Sequence, residues 1–170
     1  MLKYFILCIT SSRTIKKFFY ICGSNSSLHN KNRLLGFKQA LIDNNIDLNK
    51  QKIFEGNSFA EKVGYKQMFD YLSVNSHNLP ECIVCANDEL AIGVIKALKK
   101  FDIKIPDQVK VTGFDDIELA RYIYPSLSTV RVNYFNYGRE VGKLAIKILN
   151  GENVENKINI DVELIDRKSS

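Results

Sequence analysis

Histidine is nearly absent: the 170-residue chain carries only His29 and His77. That scarcity narrows the metal chemistry open to it. The cysteines fall at positions 8, 22, 82 and 85, and Cys82 and Cys85 form a C-x-x-C, a spacing shared by redox motifs and half zinc sites. No second such pair follows. The pair also lies inside ECIVCA, which reads as a strand, where residues three apart point to opposite faces. Small apolar core cysteines in a reducing compartment are the expectation, with no metal.

Long apolar runs are missing too. The opening MLKYFILCITSSR has an apolar run of about six residues, shorter than the ~7–15 of a signal-peptide core, and no clear small-x-small site follows. Nothing later approaches the ~20 apolar residues of a membrane span. The expected location is cytoplasmic, without a membrane partner. No Walker glycine loop and no Ser-His-Asp or Cys-His arrangement can be read, so neither an enzyme nor a cofactor is expected. Basic blocks are lacking as well. The net charge is +5, but lysines such as Lys96, Lys99 and Lys100 are scattered along helical stretches as solvated faces rather than massed against nucleic acid.

What is present is a chain of one-domain length, 45% hydrophobic and 25% charged, the balance of a soluble globular protein. From residue 18 strands and helices alternate. FFYICG (18–23) is a short apolar run followed by a polar loop, SNSSLHNKN. RLLGFKQALIDNN then places Leu34, Phe37 and Leu41 at helical spacing. QKIFEG is a second strand, and FAEKVGYKQMFDYLSV a second helix with Tyr65, Phe69 and Leu72 on one face. Pro80 leads into CIVCA, which does not alternate, as expected of a strand covered on both faces. Asn87 suits the N-cap of DELAIGVIKALKKF, whose acids come first, whose lysines come last, and whose stripe is Ala91, Val94, Ile95, Leu98 and Phe101. VKVTGF is the next strand. Repeated β-α units of this length call for an α/β fold: a parallel, Rossmann-like sheet with helices on both faces.

In such a sheet ligands bind at the carboxyl ends of the strands. Asn87 and Asp115 lie at those ends, and Arg33 sits where the first loop becomes a helix. An arginine, an amide and a carboxylate on one edge could hold a polyhydroxyl molecule by directional hydrogen bonds. Plainer readings stand beside this one: Asn87 as a helix cap only, Asp115 and Asp116 opening a short helix DIELARYI, and Arg33 as a solvated first-turn residue.

The runs RLLGFKQAL, CIVCANDELAIGVIKALKKFDIKIPDQVKVTGFDDIELARYIYPSLSTVR, GREVGKLAIKIL and LIDRKSS resemble the LacI/GalR family of bacterial transcription regulators, in their periplasmic-binding-protein-like (type I) sensor domain. The resemblance covers roughly residues 15–170. It implies that Arg33, Asn87 and Asp115 line an effector cleft and grip sugar hydroxyls or the corresponding polar groups of a purine. It also implies an aromatic after the second strand. Phe59 is the counterpart, with one residue more than the usual spacing, and would stack on an apolar sugar face. A homodimer is implied, its interface including Leu90, Val94 and Tyr122, residues that composition alone would read as core.

The same resemblance sets expectations for organisation. Residues 1–17 are a remnant or divergent N-terminal segment. Residues 18–170 are the effector-binding domain, mainly its second lobe, with 131–150 belonging to a first lobe otherwise missing. The face of Val141, Leu144, Ala145 and Ile148 would then lack its cover. A helix-turn-helix head is not present, so DNA would be reached only through such a domain outside this chain. The alternatives are a solute-binding protein of a sugar transporter, a truncated regulator without function, and a phospho-acceptor using Asp115 and Asp116. The last lacks the lysine expected in segment 129–135.

Overall fold

The structure is a computed structural model and describes residues 15–154 and 161–170. The expected N-terminal remnant and Cys8 therefore lie almost wholly outside the described residues. In chain order the elements are β1 (Phe18–Ser24), α1 (Leu28–Asp43), β2 (Lys52–Gly56), α2 (Glu61–Asn75), β3 (Cys82–Cys85), α3 (Asp88–Lys100), β4 (Lys110–Thr112), β5 (Thr129–Val132), α4 (Tyr134–Leu149) and β6 (Val162–Ile165). The first four strands form one parallel sheet in the order β2-β1-β3-β4. β5 and β6 make a separate antiparallel ribbon.

Alternation along β1 sends its aromatics to opposite faces of the sheet. Phe18 and Tyr20 pack on Phe37 of α1, with ring centres 6.2 and 4.8 Å away. Phe19 meets Tyr71 of α2 edge-on at 5.0 Å. The sheet is thus covered on both sides, which is why β3 is buried at every position. Cys22, Cys82 and Cys85 are free and buried. Burial pushes the Cys22 thiol up to about 11 and raises the other two, so these are core thiols rather than nucleophiles.

α1 starts earlier than the hydrophobic spacing suggests. Ser27 caps it, its hydroxyl accepting from the Asn30 amide at 3.4 Å. The stretch read as loop, residues 28–32, is its first turn. Asn30 is buried there, accepting from the Gly23 amide at 2.8 Å, so it locks α1 to the end of β1. On α2 the buried positions are Gly64, Met68, Tyr71 and Leu72, whereas Tyr65 and Phe69 stack on each other half-buried. The reason is a close approach of α2 and α3: a Cβ on Gly64 would run into the carbonyl oxygen of Leu90, and one on Gly93 into that of Glu61. Two glycines therefore let two backbones touch.

That contact also corrects the expected interface. Leu90 and Val94 are fully buried inside the protomer and have no surface left for a second subunit to cover. Tyr122 is 74% exposed. DIELARYI forms only a short 3-10 turn, Glu118–Arg121. In α4 no residue is buried, and Phe135, Ile146 and Leu149 are exposed.

Candidate functional site

The carboxyl edge of the sheet is built by loops that leave β1, β2, β3 and β4. Arg33, in the second turn of α1, reaches across it. One Nη donates to the carbonyl of Ala86 at 2.6 Å, just past β3, and the other to Oδ1 of Asp115 at 3.0 Å, past β4. The guanidinium lies over the Phe114 ring, 3.9 Å from its centre. Charge pairing, two directional bonds and a stacked face fix this arginine in one orientation, as a lysine could not be fixed. Both partners of the ion pair stay about one-fifth open, at 18% and 21% exposure. Among the described residues these bonds use two of the arginine's five N–H donors, so donors remain for a ligand.

Asn87 is the cap it was expected to be: its Oδ1 accepts from the Leu90 amide at 3.0 Å. That leaves the amide nitrogen, which has no hydrogen bond among the described residues, one residue along from the carbonyl that holds Arg33. Capping and ligand contact are thus compatible in one side chain. Phe59, in the loop between β2 and α2, lies against Gly23 at the end of β1, where a Cβ would collide with its ring. The missing side chain at Gly23 is what lets the ring settle onto the edge. Arg33 and Asp115 are joined directly, and Asn87 follows the Ala86 carbonyl that Arg33 also holds. Phe59 is placed at the same edge through Gly23.

Two further residues were missed by sequence reasoning. Tyr134, the first residue of α4, donates its hydroxyl to Oδ1 of Asp115 at 3.0 Å. Burial of the hydroxyl, then the charge of Asp115, pushes its phenol up to about 12. No motif marks it, because it comes from a helix assigned to another lobe. Asp88 is the other. It is fully buried beneath the edge, where Oδ1 accepts from the Thr129 hydroxyl at 2.5 Å and Oδ2 from the Ile117 amide at 2.9 Å. Its own amide donates to the Phe114 carbonyl at 2.9 Å. Burial raises its carboxyl to about 6 despite those two bonds. Gly113 makes room for this carboxylate, since a Cβ there would strike Oδ1. Helix-cap chemistry explains an acid at this position in sequence, which hides its role in holding the loop after β4.

Asp116 does not share the cleft with Asp115. Its side chain is 2% exposed and is taken by Arg131 and Arg167. The two carboxylates are therefore not a pair open to one metal ion, as a phospho-acceptor would need. A groove of about 650 Å³ lies at the end of β2, lined by residues such as Asn25, Glu55, Lys62 and Gln67. It contains none of the four expected effector residues.

A polar edge of this make-up, at the carboxyl ends of a four-stranded parallel sheet, is where open α/β folds place their ligands. The model of the periplasmic binding protein-like domain matches residues 11–170. The chain belongs to that family, on its branch of LacI/GalR-type effector-binding domains. The HTH-type transcriptional repressor PurR of Haemophilus influenzae (strain PittEE) is 30% identical over 158 residues, which are 91% of this chain and 46% of the repressor. The chain thus spans about half the length of the curated relatives it matches. Among solved structures, the Escherichia coli transcriptional repressor AscG superposes with a TM-score of 0.82 at 28% identity, over 99% of this chain and 59% of that one. The Lac repressor dimer bound to operator and the anti-inducer ONPF gives a TM-score of 0.87 at 22% identity, over 99% of this chain and 56% of that one. That last likeness is one of fold. Among the described residues no helix is long and apolar enough to cross a membrane.

Proposed function

We propose that this chain is the effector-sensing part of a LacI/GalR-type transcriptional repressor. Its ligand is a small polar molecule, sugar-like or with the equivalent polar groups of a purine, held by Arg33, Asn87 and Asp115 with Phe59 against an apolar face. The observation that carries this reading is the Arg33 bridge. One side chain spans the ends of two strands, is immobilised on three sides, and still offers donors beside a partly open carboxylate. Preorganised donors and acceptors of that kind suit vicinal hydroxyls.

Tyr134 and the uncovered face of α4 support a second element of the proposal. α4 belongs to a first lobe that closes over this edge, and Tyr134 is carried to the effector with it. The chain acts as part of a cytoplasmic homodimer whose surface includes Tyr122, and DNA is reached through a helix-turn-helix domain outside residues 1–170. Ligand would then favour one arrangement of the lobes by differential affinity. Catalysis has no part in it, and the transport alternative loses support because the similar proteins PurR and AscG are repressors.

Isothermal titration with a panel of monosaccharides, disaccharides and nucleobases tests this. A one-lobed edge buries little of its ligand, so millimolar binding is expected, abolished by Arg33→Ala. Binding that Arg33→Ala and Asp115→Asn leave untouched would overturn the assignment.

A further inference from the structure

The backbone between β4 and the Glu118–Arg121 turn takes an unusual path. Asp115 has φ 113° and Asp116 φ 53°. The second value is the left-handed well that aspartate tolerates, while the first lies beyond it, in territory that L side chains rarely occupy. Such conformations persist only where the surroundings over-determine them. Backbone anchors hold each flank: the Asp115 amide donates to the Val130 carbonyl at 2.8 Å, and the Ile117 amide to Asp88 at 2.9 Å. A parallel bridge between Asp115 and Arg131 adds a further main-chain tie on the 115 side, and none of these holds residue 116 itself.

The side chain of Asp116 does. Its Oδ1 accepts from Nη2 of Arg167 at 2.5 Å and its Oδ2 from Nε of Arg131 at 2.7 Å, with Nη2 of Arg121 3.7 Å from Oδ2. Arg131 lies on β5 and also pairs with Glu163 of β6 at 3.0 Å. Arg167 follows β6 and donates to the Leu127 carbonyl at 2.8 Å. One buried carboxylate thus joins the loop after β4 to β5 and to the segment that follows β6. Burial alone would raise its pKa, but the hydrogen bonds and charges of Arg167 and Arg131 outweigh that and hold it below the ordinary range. It stays ionised.

We propose that Asp116 is a positioning residue for the effector site: its grip on Arg131 and Arg167 helps hold residues 115–116 at positive φ, so that Asp115 faces Arg33 while the effector edge is tied to the β5–β6 ribbon. This rests on the reading of Arg33 and Asp115 as effector contacts. Its physical core is independent of any ligand. Asp116 has its ion pairs with Arg121, Arg131 and Arg167 and none with Arg33, yet removing its grip leaves the path that aims Asp115 to the bridge with Arg131 alone. The ribbon leads directly into α4, so the same clamp gives a covalent and ionic route from the site to the helix that carries Tyr134.

Arginine side-chain ¹H–¹⁵N spectra test this without an effector. In the wild type the Arg33 guanidinium, held by Ala86 and Asp115, is expected to rotate slowly and give separate Nη signals. Asp115→Ala is the control that merges them. Asp116→Asn is expected to merge them as well, and to speed exchange of the Asp115 amide about tenfold or more. Arg131→Met, at a side chain 38% exposed, does the same in part and serves if Asp116→Asn fails to fold. Folded variants whose Arg33 signals and Asp115 exchange match the wild type would reduce Asp116 to a fastener of the ribbon and overturn the proposal. The ligand titration is a separate experiment, so failure of the effector reading and failure of the clamp are told apart.

Discussion

Asp88→Asn should make the protein more stable at neutral pH, and the gain should vanish in acid. The folded carboxyl titrates at about 6 against an ordinary 3.8, because burial outweighs the bonds from Thr129 and Ile117 and the charges of Asp115 and Asp116 add to it. Between those two values the folded state binds more protons than the unfolded, so stability falls as pH rises through the window and stays low above it. At ~1.4 kcal/mol per pH unit the cost is on the order of 3 kcal/mol. Asparagine removes the charge and can keep both contacts, its oxygen accepting from the Ile117 amide and its nitrogen donating to the Thr129 hydroxyl, which can accept. Urea unfolding of both proteins from pH 4.5 to 7.5 measures the difference directly. It should widen with pH by about 2 kcal/mol or more over that range. Asp116 works in the opposite direction: its depressed folded pKa contributes stability that is lost as pH falls. It is common to both proteins, and apart from its coupling to Asp88 it cancels in the difference. Parallel curves, or a variant less stable at pH 7 than wild type, would refute the reasoning.

Other outcomes follow from the same geometry. Arg33→Lys keeps the charge but cannot bridge Ala86 and Asp115 while stacked on Phe114, so in a chemical-shift titration the ligand response should weaken about tenfold or more, and denaturant unfolding should show a loss of about 1 kcal/mol. Gly93→Ala gains helix propensity, yet its methyl meets the Glu61 backbone carbonyl; denaturant unfolding should show a net loss of about 2 kcal/mol or more. Ile146→Lys and Leu149→Lys lie on a helix without a buried residue, and each should change the stability of this chain by no more than about 0.5 kcal/mol.

The order of elements could be read from periodicity and caps because this sheet obeys local rules. Non-alternating CIVC is buried on both sides, and acids precede lysines along α3. Where reading failed, a non-local contact had overruled a local signal. Ser27 and Asn30 look like loop residues until Gly23 supplies the partner that buries Asn30. Tyr65 and Phe69 carry the apolar pattern of α2, but Gly64 and Gly93 rotate the buried face toward Met68 and Tyr71. Leu90 and Val94 cannot be told from interface residues without knowing how closely α2 approaches. Asn87 and Asp115 were legible as residues that follow strands, and Arg33 as one at the junction of a loop and a helix. Tyr134 and the buried grip of Asp116 were not, since each depends on chain that returns to the site from far along the sequence.

Chemical-shift mapping of the ¹⁵N-labelled chain against the panel of sugars and nucleobases tests the central claim most directly. A true effector or a close analogue should shift the signals of Arg33, Phe59, Asn87, Asp115 and Tyr134 together, and Asp115→Asn should abolish the response. A ligand that instead moves Asn25, Glu55, Lys62 and Gln67 in the groove at the end of β2, leaving Arg33 and Asp115 unmoved, would contradict the assignment of the site.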